Sequence, residues 1–141
     1  MLPSITPPDA ARLVREEGAM LADVREPREF AATRIPGARN LPLSRLAGMD
    51  LGDGEAPVVF LCLSGMRTRS AASLLQAKAG ARRAWVMQGG LNAWEQAGLP
   101  MEAAPAGGGS AGTPPLSPWL LVLAGTAVLG LGLLMLRAFG A

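Results

Sequence analysis

Val58-Val59-Phe60-Leu61-Cys62-Leu63-Ser64-Gly65-Met66-Arg67-Thr68 is the stretch on which the fold turns. Its first four residues are all apolar, with no polar residue alternating among them. Such a run reads as a strand covered on both faces, as at the centre of a sheet packed between helices. A short loop with Gly65 follows. From Arg67 to Ala79 the spacing predicts a helix, with Ala71, Ala72, Leu74 and Leu75 on the inner side and Gly80 as its stop. Strand, tight loop and helix in that order are the repeating half of an α/β domain.

The same alternation extends outward. Thr6 reads as the N-cap of a helix that has Pro7 in its first turn, Asp9 near its positive end, and a stop at Gly18 after Glu17. Ala19–Val24 reads as a buried strand carrying Asp23 near its end. Pro27–Thr33 reads as a short helix, and Ile35-Pro36-Gly37-Ala38 as a turn. Ala84–Met87 is a further strand, and Gly90–Ala97 a last short helix ended by Gly98. The pattern predicts one small α/β domain over residues 1–102, with a central, mostly parallel sheet flanked by helices.

Composition narrows the chemistry. The chain has 141 residues, one Cys and no His. Imidazole-dependent triads and dyads are excluded, and so is His-ligated zinc. A single thiol makes no internal disulfide, no CxxC pair and no Cys-rich zinc or iron–sulfur cluster within the chain. The 13 Lys+Arg and 11 Asp+Glu leave a net charge of +2. The two signs are interleaved without aromatic residues between them, which argues against a nucleic-acid partner.

Every charged residue except Arg137 lies between Asp9 and Glu102. Residues 103–117, rich in Gly, Ala and Pro, read as a linker. Trp119–Leu136 is uncharged and mostly apolar, and as a helix it reaches roughly 27 Å, near the thickness of a bilayer core. It predicts one transmembrane helix over 118–137, with 138–141 as a short tail. No leader segment is visible at the N-terminus, so the expectation is a single-pass C-terminal anchor with the domain on the cytoplasmic side. Arg137 mildly opposes that orientation.

Cys62 is the candidate nucleophile. It stands where the strongest strand ends, outside the carboxyl end of a sheet, where α/β folds bind ligands. The loop Leu63, Ser64, Gly65, Met66, Arg67 and Thr68 can turn successive backbone N–H groups inward as an anion-binding nest. Gly65 permits the backbone angles this needs. Arg67 adds a permanent charge in a first helical turn, where the helix dipole opposes it and stability alone gives it no reason to be. These features favour a thiolate and predict a Cys62 pKa below that of a free cysteine. A lone Cys at a strand end is otherwise most often a small buried hydrophobe.

The motifs carry a resemblance. Cys62-Leu63-Ser64-Gly65-Met66-Arg67-Thr68 with Ala71-Ala72 resembles the active-site loop and following helix of the rhodanese family. Leu21-Ala22-Asp23-Val24-Arg25 through Glu29-Phe30 is similar to that family's first motif. Ile35-Pro36-Gly37-Ala38 through Asn40-Leu41-Pro42 resembles the second. Gly89-Gly90-Leu91 with Trp94 and Gly98-Leu99-Pro100 resembles the C-terminal signature. An anchored single domain of this kind is similar to bacterial inner-membrane rhodaneses, which typically carry a pair of C-terminal membrane helices rather than one.

The resemblance implies a sulfurtransferase, thiosulfate sulfurtransferase-like, with Cys62 as its catalytic residue. The Cys62 thiolate would take the outer sulfur of a donor such as thiosulfate as a persulfide. A thiol or cyanide would then remove it. No cofactor is implied. The loop Leu63–Thr68 would bind the donor mainly through backbone N–H groups, with Asp23 and Arg25 supporting it as a strand-end carboxylate and a partner for the loop. The lipid bilayer, through Trp119–Leu136, and a protein sulfur acceptor at the membrane are the further expected partners. Two positions depart from the family pattern. Thr33-Arg34 stands where Gly-His is usual, and apolar Leu63 and Met66 flank the centre of the loop, making its mouth less attractive to very polar anions. Two other readings remain beside this one. A phosphatase would place Cys and Arg around an anion loop, but with five residues between them, and Cys62 to Arg67 leaves four. A membrane-tethered carrier or adaptor would keep the scaffold without turnover of its own.

Overall fold

The computed structural model describes residues 1–104. In chain order the elements are β1 (Ser4–Ile5), α1 (Pro7–Glu17), β2 (Met20–Asp23), α2 (Pro27–Ala32), β3 (Thr33–Arg34) and β4 (Arg39–Asn40). A 3-10 turn (Leu43–Gly48) precedes β5 (Val58–Leu61), α3 (Met66–Ser70), α4 (Ala72–Ala79), β6 (Ala84–Met87), α5 (Gly90–Gln96) and β7 (Glu102–Ala103). Five strands form one sheet in the order β1-β6-β5-β2-β4, and every pairing in it is parallel. β5 is central. It pairs with β2 from Val58 against Met20 to Leu61 against Asp23, and with β6 on its other edge.

Both faces of β5 are buried, and alternation along the strand divides the core. Val58 and Phe60 join Ala22, Val24, Leu46 and Leu75 on one side of the sheet. Val59 and Leu61 join Ala10, Leu21, Leu91 and Trp94 on the other. This explains why the run Val58–Leu61 has no polar residue.

The helix α1 begins and ends as its capping residues dictate. Thr6 is extended, its hydroxyl oxygen accepts from the Asp9 N–H, and Gly18 closes the helix in the left-handed conformation. The helix expected over Arg67–Ala79 is in fact two. Ala71, at φ −96° and ψ 12°, breaks it into α3 and α4. Leu75 is fully buried, whereas Leu74, expected on the inner side, is exposed. Adjacent helical residues point about 100° apart, and the short α4 can bury only one of the pair.

Residues 102 and 103 are not slack. They pair antiparallel with β3, Thr33 against Ala103 and Arg34 against Glu102, and the Ala104 N–H donates to the Ala32 carbonyl at 2.9 Å. Among the described residues no helix is long and apolar enough to cross a membrane. The expected span at 118–137, its tail and nearly all of the expected linker lie outside the described residues.

Candidate active site

Cys62 follows β5 directly and continues its alternation. It shares the face of Val58 and Phe60 and packs into the core beside Leu75 and Ala79. Its exposure is 0%. The chain then turns back toward α3, and Gly65 makes the turn at φ +88°. A Cβ there would come within 3.3 Å of the Gly89 nitrogen, so conformation and space both call for glycine.

The turn aims backbone donors at sulfur. The Gly65 N–H donates to Cys62 Sγ at 3.1 Å. Thr68 Oγ1 lies 3.9 Å from Sγ and donates to the Gly65 carbonyl at 3.0 Å, which ties the two ends of the turn together. Burial pushes the thiol pKa up. The backbone N–H groups of Thr68, Gly65 and Arg67, with the Thr68 hydroxyl, outweigh it, so the Cys62 pKa falls below its ordinary value. α3 is only five residues long, so its dipole is a small part of this effect. The separate N–H groups carry it.

Two contacts hold the loop in place. The first comes from α5. The Leu91 N–H donates to the Cys62 carbonyl at 2.8 Å, and the Asn92 N–H donates to the Leu63 carbonyl at 3.0 Å. The approach is close enough that a Cβ on Gly90 would meet the Cys62 carbonyl oxygen at 2.2 Å. The second comes from α2. Both terminal guanidinium nitrogens of Arg67, Nη1 and Nη2, donate to the Glu29 carboxylate, each at 2.7 Å. Arg67 therefore has the structural reason that its place in a first helical turn seemed to deny it. Its hydrogen bonds hold the Glu29 pKa well below the usual carboxylate range, down to about 2, against a smaller opposing effect of burial. Outward from this frame stand the side chains of Leu63, Ser64 and Met66.

The architecture and the loop can be set against known proteins. Residues 6–97 match the family model described as Rhodanese-like domain. This chain belongs to the rhodanese family. It is 36% identical over 101 residues to the thiosulfate sulfurtransferase GlpE of Actinobacillus pleuropneumoniae, an alignment spanning 71% of this chain and 93% of that protein. Its fold is similar to that of a rhodanese-related protein from Thermoplasma volcanium, with a TM-score of 0.62 at 24% identity, covering 71% of this chain and 97% of the other. A thiosulfate sulfurtransferase from Pseudomonas aeruginosa matches with a TM-score of 0.60 at 28% identity, covering 75% of this chain and 20% of the larger one. The enzyme class expected from the motifs, thiosulfate sulfurtransferase-like, is the class named in these relatives.

Within the rhodanese domain, Asp23 and Arg25 form a buried pair. Arg25 Nε lies 3.0 Å from both carboxylate oxygens, and its Nη2 lies 2.7 Å from one of them. Arg25 also donates to the carbonyls of Thr33, at 2.7 Å, and Glu29. The hydrogen bonds of its side chain thus go to Asp23 and the α2–β3 segment, not to the 62–68 loop. Hydrogen bonds link Arg25 to the loop through α2, which presents Glu29 to Arg67. Arg34, in the place of the usual His, pairs with Glu102 across the β3–β7 ladder at 3.0 Å and lies over the Phe30 ring. Glu29 and Gly90 were quoted in the motifs but given no role. Glu29 lies 38 residues from Arg67, and no local pattern links them. For Gly90 the available signal was two successive glycines opening a helix, since a residue without a Cβ permits close backbone approach.

Proposed function

We propose that this rhodanese is a sulfurtransferase that carries sulfane sulfur on Cys62. The Gly65 N–H donated to Cys62 Sγ at 3.1 Å, in a loop whose neighbouring N–H groups also favour the thiolate, is the observation that supports it most directly. In the first half-reaction the thiolate attacks the outer sulfur of thiosulfate. A new S–S bond forms at Cys62, the old S–S bond breaks, and its electron pair leaves with sulfite. In the second, a thiol or cyanide attacks the bound outer sulfur and returns the thiolate, with no net redox change. Loop N–H groups stabilise the anions at each stage. The chain has one Cys, so the acceptor must come from outside it. The uncharged run Trp119–Leu136 supports a membrane-anchored enzyme, which we read as passing sulfur to a small thiol or a protein on the cytoplasmic side.

The test is the mass of the intact protein. Reduced full-length chain incubated with thiosulfate should gain one sulfur atom, and cyanide should remove it as thiocyanate. Cys62→Ser should gain none. The rate of sulfur uptake should rise with pH along the thiolate, with its midpoint below the roughly 8.5 of a free cysteine. Failure of reduced Cys62 to take sulfur from any sulfane donor, or steady release of phosphate from a phosphoryl ester without persulfide, would sink the proposal.

A further inference from the structure

The rim of the Cys62 loop has an unusual balance for a site that must receive an anion. Within Leu63–Thr68 the one cationic side chain, Arg67, has both terminal guanidinium nitrogens engaged by Glu29 at 2.7 Å, and the pair closes on itself as a neutral unit, while Arg69 stands exposed beyond the loop on α3. What the loop turns outward is Leu63, 41% exposed, Met66, 68% exposed, and the neutral Ser64. They are two of only four large apolar side chains exposed among the described residues. Between them runs the turn that wraps a thiol with 0% exposure. A donor that approaches Sγ over the outer side of this turn leaves water beside these side chains. The thiosulfate dianion sheds strongly bound water there and meets no free cation on the loop. A donor with one charge and a hydrocarbon group sheds less and covers Leu63 and Met66 as it enters.

We infer that this chain selects organic sulfane donors, in which the inner sulfur bears an apolar carbon group, over inorganic thiosulfate, and that Leu63 and Met66 set the preference. The inference rests on the sulfurtransferase reading of Cys62. The chemistry is that of the first half-reaction with a different leaving group. For an alkanethiosulfonate, RSO2–S⁻, the Cys62 thiolate bonds to the outer sulfur, the S–S bond of the donor breaks, and the electron pair leaves with the sulfinate RSO2⁻. Charge and atoms balance, and no added oxidant or reductant is needed. Met66 suits the role, since its unbranched thioether side chain adapts to differently shaped apolar groups.

Methanethiosulfonate and butanethiosulfonate separate this effect from charge and from leaving-group strength, because they share the reacting group and differ by three methylenes. Full burial of one methylene is worth roughly fourfold in rate, so half-burial of three raises kcat/KM about eightfold. The experiment measures sulfur uptake on Cys62 of the full-length chain with the two thiosulfonates and with thiosulfate, each rate taken relative to that of free cysteine thiolate. The expected order is butanethiosulfonate, then methanethiosulfonate, then thiosulfate. Leu63→Ser and Met66→Ser each lower the butyl-to-methyl ratio, and the double variant brings it close to one. Both side chains are exposed, and an unchanged denaturation midpoint confirms that the variants fold. Equal rates for the two thiosulfonates in the wild type, or a ratio that survives in the double variant, would overturn the inference while leaving the sulfurtransferase reading intact. No sulfur on Cys62 from any of the three donors would overturn both.

Discussion

Glu29 shows how a single residue can hold the Cys62 loop without touching the thiol. Its carboxylate takes both prongs of Arg67, and its pKa drops from 4.5 to about 2. A carboxylate depressed in the folded state stabilises the fold above its unfolded pKa and loses that contribution as pH falls through the folded one. Between about pH 4.5 and 2 the unfolded chain binds more protons at this site, so stability climbs with pH across that window. Both side chains are a little over a third exposed, and solvent screening holds the pair to about 1 kcal/mol. Glu29→Gln should therefore be less stable than wild type by about that amount at pH 7. Urea denaturation followed by tryptophan fluorescence should show the gap shrinking toward pH 2. A gap of the same size at both ends would show that the ion pair does not carry it. The partner of Arg67 was not legible in the sequence. Candidate cations and acids are spread along the whole domain, and only the packing of α2 against the loop selects one. Cys62 itself was legible, because a lone thiol after a fully apolar strand has few other places to be.

At the scale of elements, how much could be read followed the strength of local signals. The helix α1 starts and stops at its caps, Thr6 and Gly18. β5 and β6 are continuous apolar or nearly apolar runs, and they form where their patterns say. The two-residue strands β1, β3, β4 and β7 contain too few residues for any period, and their pairing partners alone define them. The break at Ala71 has no proline or glycine to announce it. The meeting of α5 with the Cys62 loop is likewise tertiary, and it makes a sharp prediction. Gly90 has φ +55°, and a Cβ would meet the carbonyl oxygens of Cys62 and Leu63 at 2.2 and 2.8 Å. These are backbone atoms and cannot swing aside. Gly90→Ala should cost about 2 kcal/mol or more and displace the loop. The denaturation midpoint and the rate of sulfur uptake should both fall. A variant with a wild-type midpoint would mean that the contact between α5 and the loop is looser than described.

For the molecule as a whole, a compact α/β domain is followed by a segment of different composition. If Trp119–Leu136 anchors it, the full-length chain should sediment with membranes, resist extraction by alkaline carbonate, and need detergent to dissolve. Residues 1–104, which keep β7 and its pairing with β3, should stay in the aqueous phase. Full-length chain that dissolves without detergent would rule out the anchor. Tethering would also limit the Cys62 persulfide to acceptors that reach the membrane surface, a constraint on partners rather than on the chemistry.

By itself the sequence determined the class of fold, the strand that centres it, the thiol that ends that strand, and the absence of imidazole chemistry. Each of these is local or compositional: a hydrophobic period, a capping residue, a count of one Cys and no His. The tertiary structure alone decided what surrounds the thiol. It turned the Gly65 N–H onto sulfur, engaged Arg67 with Glu29, brought α5 against the loop at Gly90, and left Leu63 and Met66 facing outward. The contacts of Arg67 with Glu29 and of α5 with the loop join residues that are distant in the chain, and they exist only once the sheet has brought β2, β5 and β6 side by side.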